Sequence, residues 1–371
     1  MKNRFYNFIA APFAACPGRM LLLCISGFLV ILQRTLRGDR KLMRLLSARV
    51  VQPVHHFLAA ATNRVPFSVA EVLILTAGTA LIALTVFTLW RLIFRKDRLK
   101  TLGRYLLTVG SAGLAVYAGF CLLWGIYYYG DDFMERSGFE TREISVEELE
   151  KVTLWFAELA NRYSAEVPRD SEGVCATDRA LVLEKSETLY QTAEQACPEL
   201  MGPAVRAKPF FFSKLLSLTD FTGFFFPFTA EANVNTDAPA SEFAATVAHE
   251  LAHQRGVAKE QEANFCAVYA GLLDGDPDYC YSASLMAYTY LSNALYSADP
   301  GAWMMIRQGL NENVVRDLEA TRSYWQKFET PVQAVSNAVY EGFLYSYDQT
   351  LGLKSYGACV DLLVCYYLNQ C

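Results

Sequence analysis

Histidine is nearly absent from this sequence, with 4 in 371 residues. Charged residues are also scarce, at 19%, beside 53% apolar residues. No Cys-x-x-Cys pair occurs among the 10 cysteines, which argues against a zinc site built from cysteines. There is no internal repeat and no low-complexity run. The length allows a sizeable core and one or two domains. Acidic residues are missing from the front of the chain. Up to Arg104 there are 16 Lys and Arg against 3 Asp and Glu, a net of +13, and the remainder carries 17 basic and 35 acidic residues, a net of −18. A basic, apolar front joined to an acidic back fits a membrane anchor followed by a solvent-facing domain. The acidic larger part would repel phosphate, which argues against nucleic acid as a partner.

Three stretches are apolar over the roughly 20 residues that cross a bilayer. They are about 20–36, 69–93 and 105–128. The core of the first, "MLLLCISGFLVIL", lacks a small-residue cleavage site and reads as a retained anchor. The link between the second and third is short and basic: Arg91, Arg95, Lys96, Arg98, Lys100 and Arg104 against Asp97. The positive-inside rule puts it in the cytoplasm and the following chain outside. The first link is basic as well, which conflicts with its expected outside position. Its pattern, "RKLMRLLSARVVQPVHHFL", suits an amphipathic helix on the bilayer surface, with His55 and His56 as interfacial side chains. The expected division is therefore an anchor over 1–130 and an extracytoplasmic domain over 131–371.

The domain is expected to be mainly α, an α-rich (α+β) zincin-like unit with one short edge strand. Ser145 and Glu148 form a capping box ahead of Leu149, Val152, Phe156 and Leu159 at helical spacing. Helices are also expected near Ser282–Ser297, Asn311–Phe328 and Val332–Tyr347. One aromatic stretch breaks the helical pattern, "FTGFFFPFTAEANVN" (Phe221–Asn235). Pro227 favours an edge strand or extended segment there. Such an edge suits pairing with an extended substrate, with Glu231 and Asn233 as contacts; a buried strand with a turn is the plain structural reading. Seven cysteines fall in the domain, and Cys175 with Cys197 is the pair best suited by spacing to a disulfide.

The chemistry concentrates in "HELAHQRGVAKEQEANF". On a helix, His249 and His253 lie four apart on one face and aim two imidazoles at one point, as a tetrahedral zinc requires. Glu250 is offset enough to stay off the metal and close enough to take a proton from the attacking water and return it to the leaving amine. Pro239 suits the helix start, Gly256 suits its end, and Ala244, Val247, Ala248, Leu251 and Ala252 form the opposite, buried face.

A chain that reverses at Gly256 into a second helix places Glu260 opposite His253 and Asn264 opposite His249. Glu260 is then the expected third ligand. Asn264 is expected to orient His249 through its free ring nitrogen. Glu262 points away by about 200° and is the alternative ligand only if the second helix starts later or is rotated.

These residues resemble the glutamate-type zinc metallopeptidases, in which a His-Glu-x-x-His helix precedes a helix bearing Glu-x-x-x-Asp. Here the variant is "EQEAN", with Asn264 where Asp is usual and a short spacing from His253. More narrowly, five stretches resemble an uncharacterised bacterial membrane family, domain of unknown function 3810. They are "VPFSVAEVL", "GFFFPFTAEANVN", "HELAHQRG", "EQEANF" and "KSYGACVDLL". The resemblance implies three spans, then an external zinc domain with metallopeptidase character, and names no substrate. Zinc peptidases use an extra donor for the oxyanion, and Tyr356 in "KSYG" is the candidate. The expected function is a membrane-anchored zinc metalloendopeptidase acting on a peptide or protein substrate. A non-catalytic, zinc-stabilised receptor or signalling domain is the alternative, and it would need the histidines but not Glu250.

Overall fold

Three helices are long and apolar enough to cross a membrane: Pro17–Leu36, Val69–Phe94 and Arg98–Leu123. The computed structural model describes residues 16–347, 349 and 356–371, without the side chain of Tyr356. The third apolar helix starts earlier than its hydropathy alone suggests, because "RLKTLGR" is helical as well as basic. It ends at Leu123, and the aromatic run after it forms a turn and a short 3-10 helix, Tyr127–Tyr129.

The chain divides into two compact units. One comprises the chain through Val51 together with Val69–Gly130. Within it the first and third apolar helices pack together, Arg34 donates to the Tyr117 hydroxyl at 2.6 Å, and Arg37 donates to that of Tyr129 at 2.6 Å. These tyrosines give the basic residues at the end of the first helix polar partners.

The other unit comprises Gln52–Ser68 and Asp131–Cys371. It is mainly helical around one three-stranded sheet. Two helices dominate its centre. The histidine helix spans Ala240–Gln254, and the glutamate helix spans Glu260–Asp274. Phe243, Val247 and Leu251 of the first bury against Phe265 and Val268 of the second, within a core that includes Val152 and Phe156. Burying each such side chain contributes roughly 1.5–3 kcal/mol. The helix carrying Val152 and Phe156, Val146–Tyr163, opens on the expected capping box. Ser145 Oγ accepts from the Glu148 N–H at 3.2 Å, and Glu148 accepts from the Ser145 N–H at 3.0 Å. The later helices are Pro277–Ala298, Pro300–Gln308, Glu312–Gln326, Pro331–Ser346 and Tyr356–Tyr367.

The sheet order is β1 (Lys208–Phe210), β3 (Glu231–Asn235), β2 (Gly223–Phe226). β3 is central and wholly buried, parallel to β1 and antiparallel to β2. The aromatic stretch thus contains both an edge strand and a core strand. Glu231 and Asn233 are not exposed at a cleft: both are buried in β3, and Asn233 Oδ1 accepts from Ser68 Oγ at 2.6 Å.

That bond shifts the expected boundary at 130/131, because Gln52–Ser68 folds with the second unit. Its helix, Gln52–Thr62, ends on Lys208, whose Nζ donates to the carbonyls of Thr62 (3.3 Å) and Val65. Asn63 Oδ1 accepts from the Arg206 N–H at 3.2 Å, and Ala59 packs with Val205 and Ala230. His55 is fully buried with its ring 5.3 Å from that of Phe225, so it is a packing residue and not an interfacial one. Burial lowers its pKa to about 4.

No disulfide links Cys175 to Cys197. Both thiols are buried, the first 3.3 Å from Thr177 Oγ1 and the second 3.5 Å from Glu199 Oε2.

Candidate metal centre

The histidine helix is built to hold its polar face still. It opens on Pro239 and ends at Gln254, and Gly256 adopts φ +80°, the left-handed conformation that favours glycine. The chain turns there, and the glutamate helix begins at Glu260, the first residue after the cap position Lys259. Lys259 is fixed by Asp132 at 2.5 Å. At the C-terminal end, the buried Arg255 pairs with Glu194 at 2.9 Å, donates to the Leu251 carbonyl and lies over the Tyr190 ring at 4.1 Å.

This hairpin brings His249, His253 and Glu260 together. Their candidate ligand atoms all lie within 4.8 Å of one another. Glu260 Oε2 is 3.2 Å from His249 Nε2 and 3.6 Å from His253 Nε2. Two donors at about 2.1 Å from a tetrahedral zinc lie about 3.4 Å apart, so these separations suit one ion. The protonation pattern points the same way. His253 Nδ1 lies 2.7 Å from the Val257 carbonyl, which can only accept, so Nδ1 carries a proton and Nε2 is the nitrogen turned to Glu260. A proton or a cation between Nε2 and the carboxylate is favoured there. Burial works to lower the His253 pKa, but the Glu260 carboxylate overcomes it and raises that pKa to about 9. Glu260 in turn is held well below the usual range by the two histidines, against its burial. The cluster is a receptor for positive charge, and its donor set fits zinc.

Glu250 sits beside the cluster, 4% exposed, with Oε2 buried and without a hydrogen-bond partner among the described residues. Burial raises its pKa to about 7, within the range suited to a proton acceptor near neutral pH. Gly223 at the start of β2 explains how the sheet approaches. A Cβ on Gly223 would lie 2.8 Å from Glu250 Oε1 and 2.8 Å from the Asn233 carbonyl. Only glycine lets the edge strand pass so near the carboxylate.

The neighbouring candidates fall elsewhere. Glu262 is 1% exposed, and its Oε2 accepts from the Phe133 N–H at 3.0 Å. It satisfies the first N–H of the short helix Phe133–Ser137 and is not brought to the histidines. Asn264 is 6% exposed but makes no hydrogen bond to His249 among the described residues. It lies one helical turn beyond Glu260 and is one carbon shorter, so the facing that brings Glu260 to the histidines is not repeated at Asn264. The Tyr356 side chain lies outside the described residues. A tyrosine that the motifs did not indicate is present instead. Tyr340, on the helix Pro331–Ser346, donates to Glu260 Oε1 at 2.6 Å, and its ring centroid is 5.3 Å from that of Phe221. This leaves Oε2 turned to the histidines. Nothing local marks Tyr340, which is 80 residues from its partner.

Fold and site together define a class: a helical domain that gathers two histidines and a glutamate at one point, in a chain with three apolar helices. The chain belongs to the family described as "Protein of unknown function (DUF3810)", which matches residues 47–364. Comparison with curated proteins and with solved structures found no significant match to either.

Proposed function

We propose that this protein is a membrane-anchored zinc metalloendopeptidase of the glutamate type. Its three apolar helices cross the membrane, and its domain lies outside the cytoplasm. One observation supports the reading most: His249 Nε2, His253 Nε2 and Glu260 Oε2 converge within reach of a single ion, beside a buried Glu250 whose Oε2 has no hydrogen-bond partner among the described residues. His249, His253 and Glu260 hold the metal. A bound zinc supplies Lewis acidity, polarising the scissile carbonyl and acidifying water. Glu250 takes the proton of the attacking water and hands it to the leaving amine. The Val257 carbonyl and the Tyr340 hydroxyl fix the orientation of His253 and Glu260. β2 pairs only with β3 among the described strands, so its outer edge offers backbone groups to an extended peptide next to Glu250. The basic link between the second and third apolar helices supports its cytoplasmic position and an outside domain.

The test is hydrolysis of a peptide library by the purified full-length protein loaded with zinc, read by mass spectrometry. Wild type should cleave, and Glu250→Gln should keep the metal and lose cleavage. Equal cleavage by both removes Glu250 as the base. A phenotype that needs His249 but not Glu250 selects the non-catalytic alternative.

A further inference from the structure

One face of the sheet is unlike the rest of the second unit. Directly opposed residues on paired strands share a face. Register therefore puts Lys208, Asn233 and Phe224 on one face, followed by Phe210 and Phe226. Gly223 and Val234 lie on the other, toward the histidine helix. On the first face, phenylalanine rings run in a row, with centroids 5.4 Å apart from Phe210 to Phe224 and 6.5 Å apart from Phe224 to Phe226.

The segment after β1 extends this face, and its polarity is inverted. In the helix Ser213–Leu218 both serines are buried, while Leu215 and Leu218 point outward. Ser213 Oγ lies 3.1 Å from Thr236 Oγ1, and Ser217 Oγ accepts from Asn235 Nδ2 at 2.9 Å. Leu215 is 56% exposed, Phe211 is 84% exposed, and Phe212 and Leu218 are exposed beside them. A helix bathed in water shows the opposite pattern.

Two further observations say what covers this surface. Ser68, bonded to Asn233 on this same face, is the last residue before the apolar helix Val69–Phe94, and Phe67 next to it is 52% exposed. The face is thus anchored one residue from the start of a helix long and apolar enough to cross a membrane, and the inference rests on the proposal that it does so. The charge is also reversed. Residues 62–68 and 205–219 carry Arg64, Arg206, Lys208 and Lys214 and no acidic residue, in a unit that is otherwise acidic; Lys208 is buried and Arg206 pairs with Glu187 at 2.9 Å, which leaves Arg64 and Lys214 as exposed charges.

We propose that this face, with Phe67, Phe211, Phe212, Leu215 and Leu218 as its contact residues, lies in the interfacial region of the lipid bilayer. The phenylalanines and leucines sit at the headgroup and acyl boundary, and the exposed Arg64 and Lys214 meet anionic headgroups. This proposal does not rest on the zinc chemistry. Its consequence for any peptide laid along β2 is that the peptide would be presented at the membrane surface, as the juxtamembrane segment of another membrane protein is.

The test uses the full-length protein in vesicles of phosphatidylethanolamine and phosphatidylglycerol. A photoreactive phenylalanine (p-benzoylphenylalanine) replaces Phe211, Leu215 or, as a control, Met305, which is 76% exposed on a helix away from the sheet. These side chains are exposed, so the replacements leave the core intact. After illumination, intact mass should show phospholipid adducts at positions 211 and 215, several-fold above position 305. Adducts to protein alone would assign the surface to a protein partner and overturn the proposal. Equal lipid labelling at 305, or no lipid adduct at 211 and 215, would overturn it as well.

Discussion

Glu250 and Glu262 have much in common. Each is almost fully buried, each has one oxygen without a hydrogen-bond partner, and burial pushes each pKa to about 7. By titration alone they are indistinguishable. They differ in their surroundings. Glu250 stands at the start of the edge strand, beside the His249, His253 and Glu260 cluster. Glu262 holds the first N–H of a five-residue helix, with Asp132 and Lys259 as its charged neighbours. A perturbed carboxyl becomes a candidate acid or base only when an accessible edge and a partner chemistry lie next to it.

The comparison can be broken by measurement. The largest expected effect is on catalysis. Glu250→Gln should lower peptide hydrolysis by about 10²- to 10⁴-fold, the usual contribution of a general base, with zinc retained. Glu262→Gln should hydrolyse near the wild-type rate. Rates that fall alike in both would show that burial, not position, set the effect.

Gly223→Ala comes next. Its methyl would press on Glu250 Oε1 and the Asn233 carbonyl, and overpacking of this kind costs about 1–3 kcal/mol. Hydrolysis should drop about tenfold or more, because a displaced carboxylate loses its alignment with the attacking water, while zinc content stays the same. Unchanged kinetics would mean that the edge strand does not bear on Glu250. Tyr340→Phe removes the bond to Glu260 Oε1. Zinc affinity, measured by competition with a chelator, should weaken about 10-fold, as the loss of groups that orient a ligand does. Wild-type affinity would leave Tyr340 a purely structural hydroxyl.

The smallest effect concerns the docking of Gln52–Ser68. Ser68→Ala breaks the bond to Asn233 and leaves its buried amide oxygen without that donor, at a cost of about 1–3 kcal/mol. The thermal midpoint should fall by a few degrees, with hydrolysis and zinc content little changed. An unchanged midpoint would argue that the loop does not stabilise the sheet.

What was legible in the sequence was local. His249 and His253 share a face because four residues make about one turn, and Gly256 reverses the chain within a few residues. Reflection about that turn therefore placed Glu260 opposite the histidines and turned Glu262 away. The same reflection failed for Asn264, since it carries no information about side-chain reach one turn further on. The long-range partners were not legible. Gly223 and Glu250, Tyr340 and Glu260, and Ser68 and Asn233 meet through tertiary packing that no spacing encodes. The helix Gln52–Thr62 misled for a physical reason. An amphipathic pattern fits a bilayer surface and a protein surface equally well, and its buried side, with His55 and Ala59, rests on protein.

The most direct test of the metal centre is zinc content of the purified full-length protein, compared between wild type, Glu260→Ala and Glu262→Ala. The predicted result is about one zinc per chain in wild type and in Glu262→Ala, and almost none in Glu260→Ala. Zinc retained in Glu260→Ala, or lost equally from both variants, would contradict the assignment of His249, His253 and Glu260 as the ligands.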